Sequence, residues 1–530
     1  MAKKSKIIQI GGQTLTFSEA IKEKFHVIYL PGNYDLMADE AGERFFVEGE
    51  FNPKHNRSLF ILGADALLLR SFPLQLAQFP AYQIFYDAEA EISPHQEQIL
   101  EQKFAHPYRT KEDSLESLRE KVWDLSIGQM GYKVKPEMVA VSEGFKGQST
   151  KFGNSYMQLI GEFTPEFSEI LHWRRHSVDF GAGDKLAFYP EDTVVKGDLE
   201  LEYRIYVLEK NHYNIIKVIK GSPQQFRNQE IIVHNDTEHT VYTSIGLYAK
   251  GGQGEIQVGN IHFRKYLNDK SVMFSGATTL IDRQVRNEEV NCYFHPGDMK
   301  PPLSVYFSGY RSAEGMEGRG MMANMGGPFI LLGDPRLEGG NFYLGSSEFE
   351  AQISQFIQDK LEWLGFSNQD LILSGLSMGT FGALYYAADL SPAAVIVGKP
   401  LANIGTIALN ERINRPEMWG TSLDMVLHHG GSSTTANAES LDQKFWDKFS
   451  KGNYDSTTFA LAYMKQDDYD HKAFSMLVEK LKSMNSKATL LYKGFIGRHN
   501  DNSPGINSWF IKQYRNVLLN KYGRDIDFRL

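Results

Sequence analysis

From Asp370 to Gly382 the chain reads Asp370-Leu371-Ile372-Leu373-Ser374-Gly375-Leu376-Ser377-Met378-Gly379-Thr380-Phe381-Gly382. A short apolar run of strand character leads into Gly-x-Ser-x-Gly and then into a helical pattern. The bare pattern is loose, but between a strand and a helix it describes a sharp turn with a serine at its apex. Gly375 and Gly379 stand where side chains would collide with neighbouring backbone, and Gly382 lets the outgoing helix lie close to a sheet. The helix N-terminus lends positive potential where charge develops on an attacked carbonyl. Ser377 is therefore the candidate nucleophile of an acyl-transfer site, and a chain with this turn is expected to build a parallel sheet around it.

The flanking sequence from about 286 to 530 fits that expectation. Leu303–Ser308, Phe329–Leu332, Leu371–Ser374, Ala393–Val397, Thr458–Met464 and Ala488–Tyr492 read as strands, with helices over Phe349–Leu364 and Gly379–Asp389. Repeated βα units imply a mainly parallel sheet covered on both faces, an α/β-hydrolase-like domain whose ligands bind at the carboxyl ends of the strands.

An unactivated serine is a poor nucleophile, so a base and an orienting acid must follow it, in the chain order Ser, Asp or Glu, His. After the expected strand at Thr458–Met464 comes Lys465-Gln466-Asp467-Asp468-Tyr469-Asp470; after the last strand comes Gly494-Phe495-Ile496-Gly497-Arg498-His499-Asn500-Asp501. His499 is the candidate base. Asp467, a few residues past its strand, is the candidate acid, with Asp468 the alternative; Asp470 reads as a solvated partner or a helix cap. The oxyanion amides are expected from Met378, next to the serine, and from Tyr310 or Arg311 beyond the Leu303–Ser308 strand. Gly315-Met316-Glu317-Gly318-Arg319-Gly320 and the loop Asp334–Tyr343 are expected to wall the pocket. No metal is expected: the acidic loop lacks glycine-centred calcium spacing, and His428-His429 are adjacent instead of at helical ligand spacing.

With 530 residues the chain has room for two to four domains. Residues 1–145 mix short apolar runs that read as buried strands (His26–Leu30, Ala66–Leu69, Gln83–Tyr86) with a helical pattern over Ser114–Met130, where Leu115, Leu118, Val122 and Leu125 share a face; this reads as a small α/β unit with no phosphate-cradling glycine loop. In 146–285 the pattern changes. Leu199, Leu201, Tyr203, Ile205 and Val207 alternate with charged residues, Val241–Leu247 and Glu255–Phe263 read similarly, and Gly251-Gly252 and Gly259-Asn260 look like turns, the signs of a β-sandwich. Trp173, Tyr189, Tyr213 and Tyr248 have the rings to stack on sugars, but the plainer expectation is that most of them pack in or beside its core.

A formal net charge of -9 argues against nucleic acid as main partner. Cys292 is the single cysteine, so no intramolecular disulfide forms. The basic start is followed by Ile7-Ile8-Gln9-Ile10, too short for a signal-peptide core, and no segment approaches the roughly 18 apolar residues of a membrane span. The expected location is cytoplasmic.

Three stretches together resemble a known family: Gly375-Leu376-Ser377-Met378-Gly379-Thr380-Phe381-Gly382-Ala383-Leu384-Tyr385-Tyr386, Gly398-Lys399-Pro400-Leu401-Ala402-Asn403-Ile404-Gly405-Thr406 and Gly497-Arg498-His499-Asn500-Asp501. They are similar to the second accessory secretory proteins of the accessory Sec system, which exports serine-rich repeat glycoprotein adhesins in streptococci and related Gram-positive bacteria. The resemblance implies O-acetylation of N-acetylglucosamine on adhesin glycans through Ser377, Asp467 and His499, with an acetyl donor and no resident cofactor. It further implies a role in export alongside the first and third accessory secretory proteins and the accessory SecA motor ATPase, at the inner face of the membrane, and a carbohydrate-binding-module-like sandwich. A serine esterase or deacetylase, or a catalytically idle binding or chaperone subunit, are the competing readings.

Overall fold

The computed structural model describes residues 5–36, 44–47, 49–109, 131–174, 178–210, 214–266, 271, 273, 275–311, 313–337, 340–414, 419 and 421–525. The helix expected over Ser114–Met130, and Tyr213, lie outside them. The fold is mixed α/β, with both parallel and antiparallel sheets.

The N-terminal sheet runs Phe25–Leu30, Ser5–Ile10, Leu59–Leu62, Ile84–Asp87, His106–Tyr108, all parallel. Ile7, Ile8 and Ile10 are buried, and their run is an interior strand of this sheet. Ala66–Leu69 is expected as a strand, but Leu67–Leu69 forms one 3-10 turn instead. The Leu67 amide is taken by the Gly32 carbonyl, and those of Leu69 and Arg70 fold back on Ala66 and Leu67.

Two antiparallel sheets face each other across a core that includes Leu159, Trp173, Phe188, Tyr203, Ile205, Val258 and Phe263. The alternation expected around Leu199–Val207 appears as strand Glu200–Glu209, with Leu201, Tyr203, Ile205 and Val207 pointing inward. Short strands Tyr132–Val134 and Val139–Val141 pair into these sheets, so they begin before residue 146. Ala277–Asp282 pairs with the large sheet, which therefore starts before 286. Gly259-Asn260 is no turn but the middle of strand Gln253–Lys265. A Cβ on Gly259 would collide with Glu191, and the Asn260 amide donates to Glu191 Oε2 at 2.7 Å. Trp173 and Tyr189 are buried, and Tyr248 is half-buried.

The large sheet has the order Ala277–Asp282, Glu288–His295, Phe329–Gly333, Leu303–Phe307, Leu371–Leu376, Ala394–Gly398, Thr458–Met464, Thr489–Phe495. The first two neighbour pairs are antiparallel and the remaining five are parallel. Its interior strands are apolar on both sides, as a doubly covered sheet requires. Leu371 and Leu373 pack with helices Ser347–Leu364, Met378–Leu390 and Thr435–Phe449 on one face. Ile372 faces the other way, in a core shared with Phe510 and Tyr514 of helix Ser503–Tyr522 and with Ile7, Leu59 and Phe85 of the N-terminal sheet. Each such side chain contributes about 2 kcal/mol by leaving water, which fixes the Leu371–Leu376 strand and the turn that ends it.

Candidate active site

Strand Leu371–Leu376 ends directly on Ser377, and helix Met378–Leu390 starts one residue later. Ser377 has φ 52° and ψ -121°, a backbone conformation that costs an L-residue about 1–3 kcal/mol and that packing must hold in place. The constraint is visible in the glycines. A Cβ on Gly379 would fall on the Phe307 carbonyl oxygen, one on Gly375 on that of Gly379, and one on Gly382 in the Phe307 ring. The Ser377 amide donates to the Gly398 carbonyl at 2.9 Å, tying the bend to the next strand.

Ser377 Oγ lies 2.8 Å from His499 Nε2, and His499 Nδ1 lies 2.8 Å from Asp467 Oδ2. The histidine and the aspartate are buried, and the imidazole edge meets the Tyr469 ring. Burial by itself would raise the Asp467 carboxyl; the hydrogen bond and charge interaction with His499 and the amides of Tyr469 and Asp470 outweigh it and hold Asp467 below the ordinary aspartate range. A carboxylate there orients the ring so that Nε2 faces the serine.

The alternative acid has a different task. Asp468 Oδ1 accepts the backbone amide of His499 at 2.9 Å, so it supports the histidine loop and Asp467 meets the ring. Asp470 is neither a solvated partner nor a helix cap. It is buried and accepts the amides of Ala402 and Asn403, at 2.8 and 2.7 Å, and the Asn403 side-chain amide at 2.9 Å. Thr380 fixes the same loop from the other side, donating to the Ser377 carbonyl and accepting the Leu401 amide. Helix Ala473–Ser483 starts after Lys472.

Met378 opens the elbow helix, buried, with a Cβ at Gly340 of the 334–343 loop set to collide with its sulfur. Of the segment after Leu303–Phe307, Gly309 lies against the elbow: its Cβ would stand 3.2 Å from the Leu376 carbonyl, and its amide donates to Glu317 Oε2 at 3.2 Å. The Tyr310 ring is exposed, and Arg311 Nη1 is 3.5 Å from Glu317 Oε1. Glu317 thus does more than line a glycine-rich wall. Lys399, which sequence reasoning passed over, follows strand Ala394–Gly398 with φ 63° and is nearly buried. Burial lowers its ammonium value, opposed by the charges of Asp467 and Glu317. Only its place at the carboxyl end of a strand beside the elbow would have singled it out.

His428 Nε2 is 3.2 Å from Glu288 and its Nδ1 2.9 Å from Ser155 Oγ, while His429 Nε2 is 2.9 Å from Asn341; both have protein partners. Among the described residues no group of three or more His, Cys, Asp or Glu side chains has metal-binding geometry, and no helix is long and apolar enough to cross a membrane.

A family model described as the accessory Sec system GspB-transporter, the second of the accessory secretory proteins, matches residues 6–524. The chain is 37% identical over 527 residues to the second accessory Sec system protein of Staphylococcus aureus (strain NCTC 8325 / PS 47), covering 99% of this chain and 98% of that protein. It is 38% identical over 526 residues to the corresponding accessory Sec system protein of Streptococcus gordonii, covering 99% and 100%. A chain in the structure of the Glycosylation Associate Protein (Gap123) complex from Streptococcus agalactiae superposes with a TM-score of 0.79 at 33% identity, covering 98% of this chain and 99% of that one.

Proposed function

The chain belongs to the accessory Sec system GspB-transporter family, that of the second accessory secretory proteins, and from that premise we propose that it is a serine-dependent O-acetyltransferase acting on the N-acetylglucosamine of serine-rich repeat glycoprotein adhesins. The observation that carries the reading is the hydrogen-bonded series Ser377 Oγ, His499, Asp467 on the carboxyl edge of a mainly parallel sheet, which supports an α/β-hydrolase-like catalytic region.

His499 Nε2 takes the Ser377 proton as Oγ bonds to the acetyl carbonyl carbon of the donor. The same proton then goes to the departing donor group, leaving acetyl-Ser377. A sugar hydroxyl next bonds to that carbonyl carbon while His499 accepts its proton; the Ser377 oxygen leaves and recovers the proton. Asp467 stabilises the imidazolium in both steps. The Met378 amide and the segment after Phe307 face the developing oxyanion.

Water in place of the sugar makes the same site an esterase or deacetylase. The protein is incubated with an acetyl donor and glycosylated adhesin, and both products are weighed, with Ser377→Ala as control. Acetylated glycan from the parent chain alone supports transfer, free acetate alone means hydrolysis, and identical products from Ser377→Ala overturn both.

The relative solved as the Gap123 complex supports assembly with the first and third accessory secretory proteins. The accessory SecA motor and the adhesin complete the proposed set, at the inner face of the membrane. The paired sheets of 132–265 are, in this reading, the carbohydrate-binding-like part.

A further inference from the structure

Where the paired sheets meet the large sheet, five charged side chains are almost completely buried: Glu191, His262, Arg264, Glu289 and Glu314. His262 and Arg264 come from strand Gln253–Lys265, and Lys133, on the neighbouring short strand, sits directly opposite His262. His262 Nε2 is 2.8 Å from Glu191 Oε1, and its Nδ1 bonds Glu314 Oε1. Arg264 Nε donates to Glu314 Oε2 at 2.7 Å, and its Nη1 pairs with Glu289. Lys133 Nζ donates to the carbonyls of Pro335, at 2.8 Å, and Leu337.

Charges buried so deeply are a poor means of gaining stability, because desolvation offsets their attraction. Burial would strip the proton from His262, but Glu314 and Glu191 outweigh it and keep its value above the ordinary histidine range. Burial would likewise raise Glu314, yet Arg264 and His262 hold it down at about 2.

The gripped residues lead to the serine. Glu314 lies between Gly309 and Glu317, and Gly309 touches the backbone just before Ser377. Pro335 and Leu337 begin the loop whose Gly340 backs Met378. We infer that Lys133, His262 and Arg264 are positioning residues for the Ser377 site: by holding Glu314 and the carbonyls of Pro335 and Leu337, they set both loops that border the serine. The sandwich is then a working part of the acyl-transfer apparatus and not a module tethered beside it. This inference rests on the acyl-transfer reading.

The test uses the full chain with Glu314→Gln and, separately, His262→Gln, assayed on p-nitrophenyl acetate well below the melting temperature. Val258→Ala, a cavity in the same sandwich, controls for lost stability. Misplaced loops lower kcat by about tenfold to a hundredfold in both charge variants, with KM within about twofold, while Val258→Ala keeps parent kcat despite a lower Tm. Parent kcat in the folded charge variants overturns the inference. If the parent chain neither turns over the ester nor acetylates glycosylated adhesin, the acyl-transfer reading has failed, and hydrogen exchange still decides positioning. Faster exchange across 303–317 and 334–344 in both charge variants supports it, and unchanged exchange there overturns it.

Discussion

Ser377 Oγ and His499 Nε2 are 2.8 Å apart although 122 positions separate them in the chain. The serine rides on the end of strand Leu371–Leu376 and the histidine on the loop beyond Thr489–Phe495, the edge strand, with two strands between them. The Asp467–Asp470 loop stands on one of those intervening strands, and its two consecutive aspartates divide the work of holding the histidine.

That division predicts unequal substitutions. Asp467→Asn leaves the ring without its carboxylate and lowers kcat by about 10³- to 10⁴-fold. Asp468→Asn keeps an oxygen for the His499 amide and costs about tenfold or less. Esterase kcat of the two variants measured side by side checks this; a larger loss at Asp468 would reverse the assignment.

The strained elbow predicts that the protein is stabler without its serine. Ser377→Gly relieves the positive φ and raises stability by about 1 kcal/mol, while abolishing fluorophosphonate labelling. Ser377→Ala also stops labelling but retains a Cβ, and so gains less. Urea unfolding of the three proteins separates strain from the lost hydrogen bond to His499.

Asp470 predicts a stability effect through the Leu401–Asn403 loop, which carries neither Ser377, Asp467 nor His499. Asp470→Ala strips acceptors from the buried amides of Ala402 and Asn403 and from the Asn403 side chain, at a cost of about 3 kcal/mol. Denaturant titration gives the value. A change below about 0.5 kcal/mol would mean that the loop is held without it.

Lys103 predicts a pH dependence. It is fully buried, donates to the Gly297 carbonyl, and burial pushes its ammonium down to about 7, against the pull of Asp298. The ordinary lysine value, near 10.4, applies in the unfolded chain. Between about pH 7 and 10.4 the unfolded chain therefore binds the extra proton, and folded stability rises with pH, by at most about 1.4 kcal/mol per unit. The stability of the parent chain relative to Lys103→Met grows from about pH 7 to 9.5; a flat difference would mean that burial does not lower the Lys103 ammonium.

Much of the large sheet was legible because its strands are buried on both faces and its helices are amphipathic. Leu371–Leu376 and Thr458–Met464 need only apolar runs, and Ser347–Leu364 needs only an apolar stripe with Ser346 as cap. The three-residue strands Tyr132–Val134 and Val139–Val141 were not legible, since neither has a period to count; they exist because Gln253–Lys265 and Ser168–Trp173 offer them an edge. Ala66–Leu69 misled for the converse reason: buried leucines suit a single turn as well as a strand.

Ser377 and its glycines could be identified from the sequence because an elbow is a local object: neighbouring residues alone dictate the φ and the close approach. Which aspartate meets the imidazole, that Asp470 turns inward, and that His262 and Arg264 of another sheet hold Glu314 all depend on where distant loops come to rest. Those positions follow from the packing of whole sheets, because a carboxylate finds its partner by distance in space and adjacent positions in the chain do not distinguish one acid from the next.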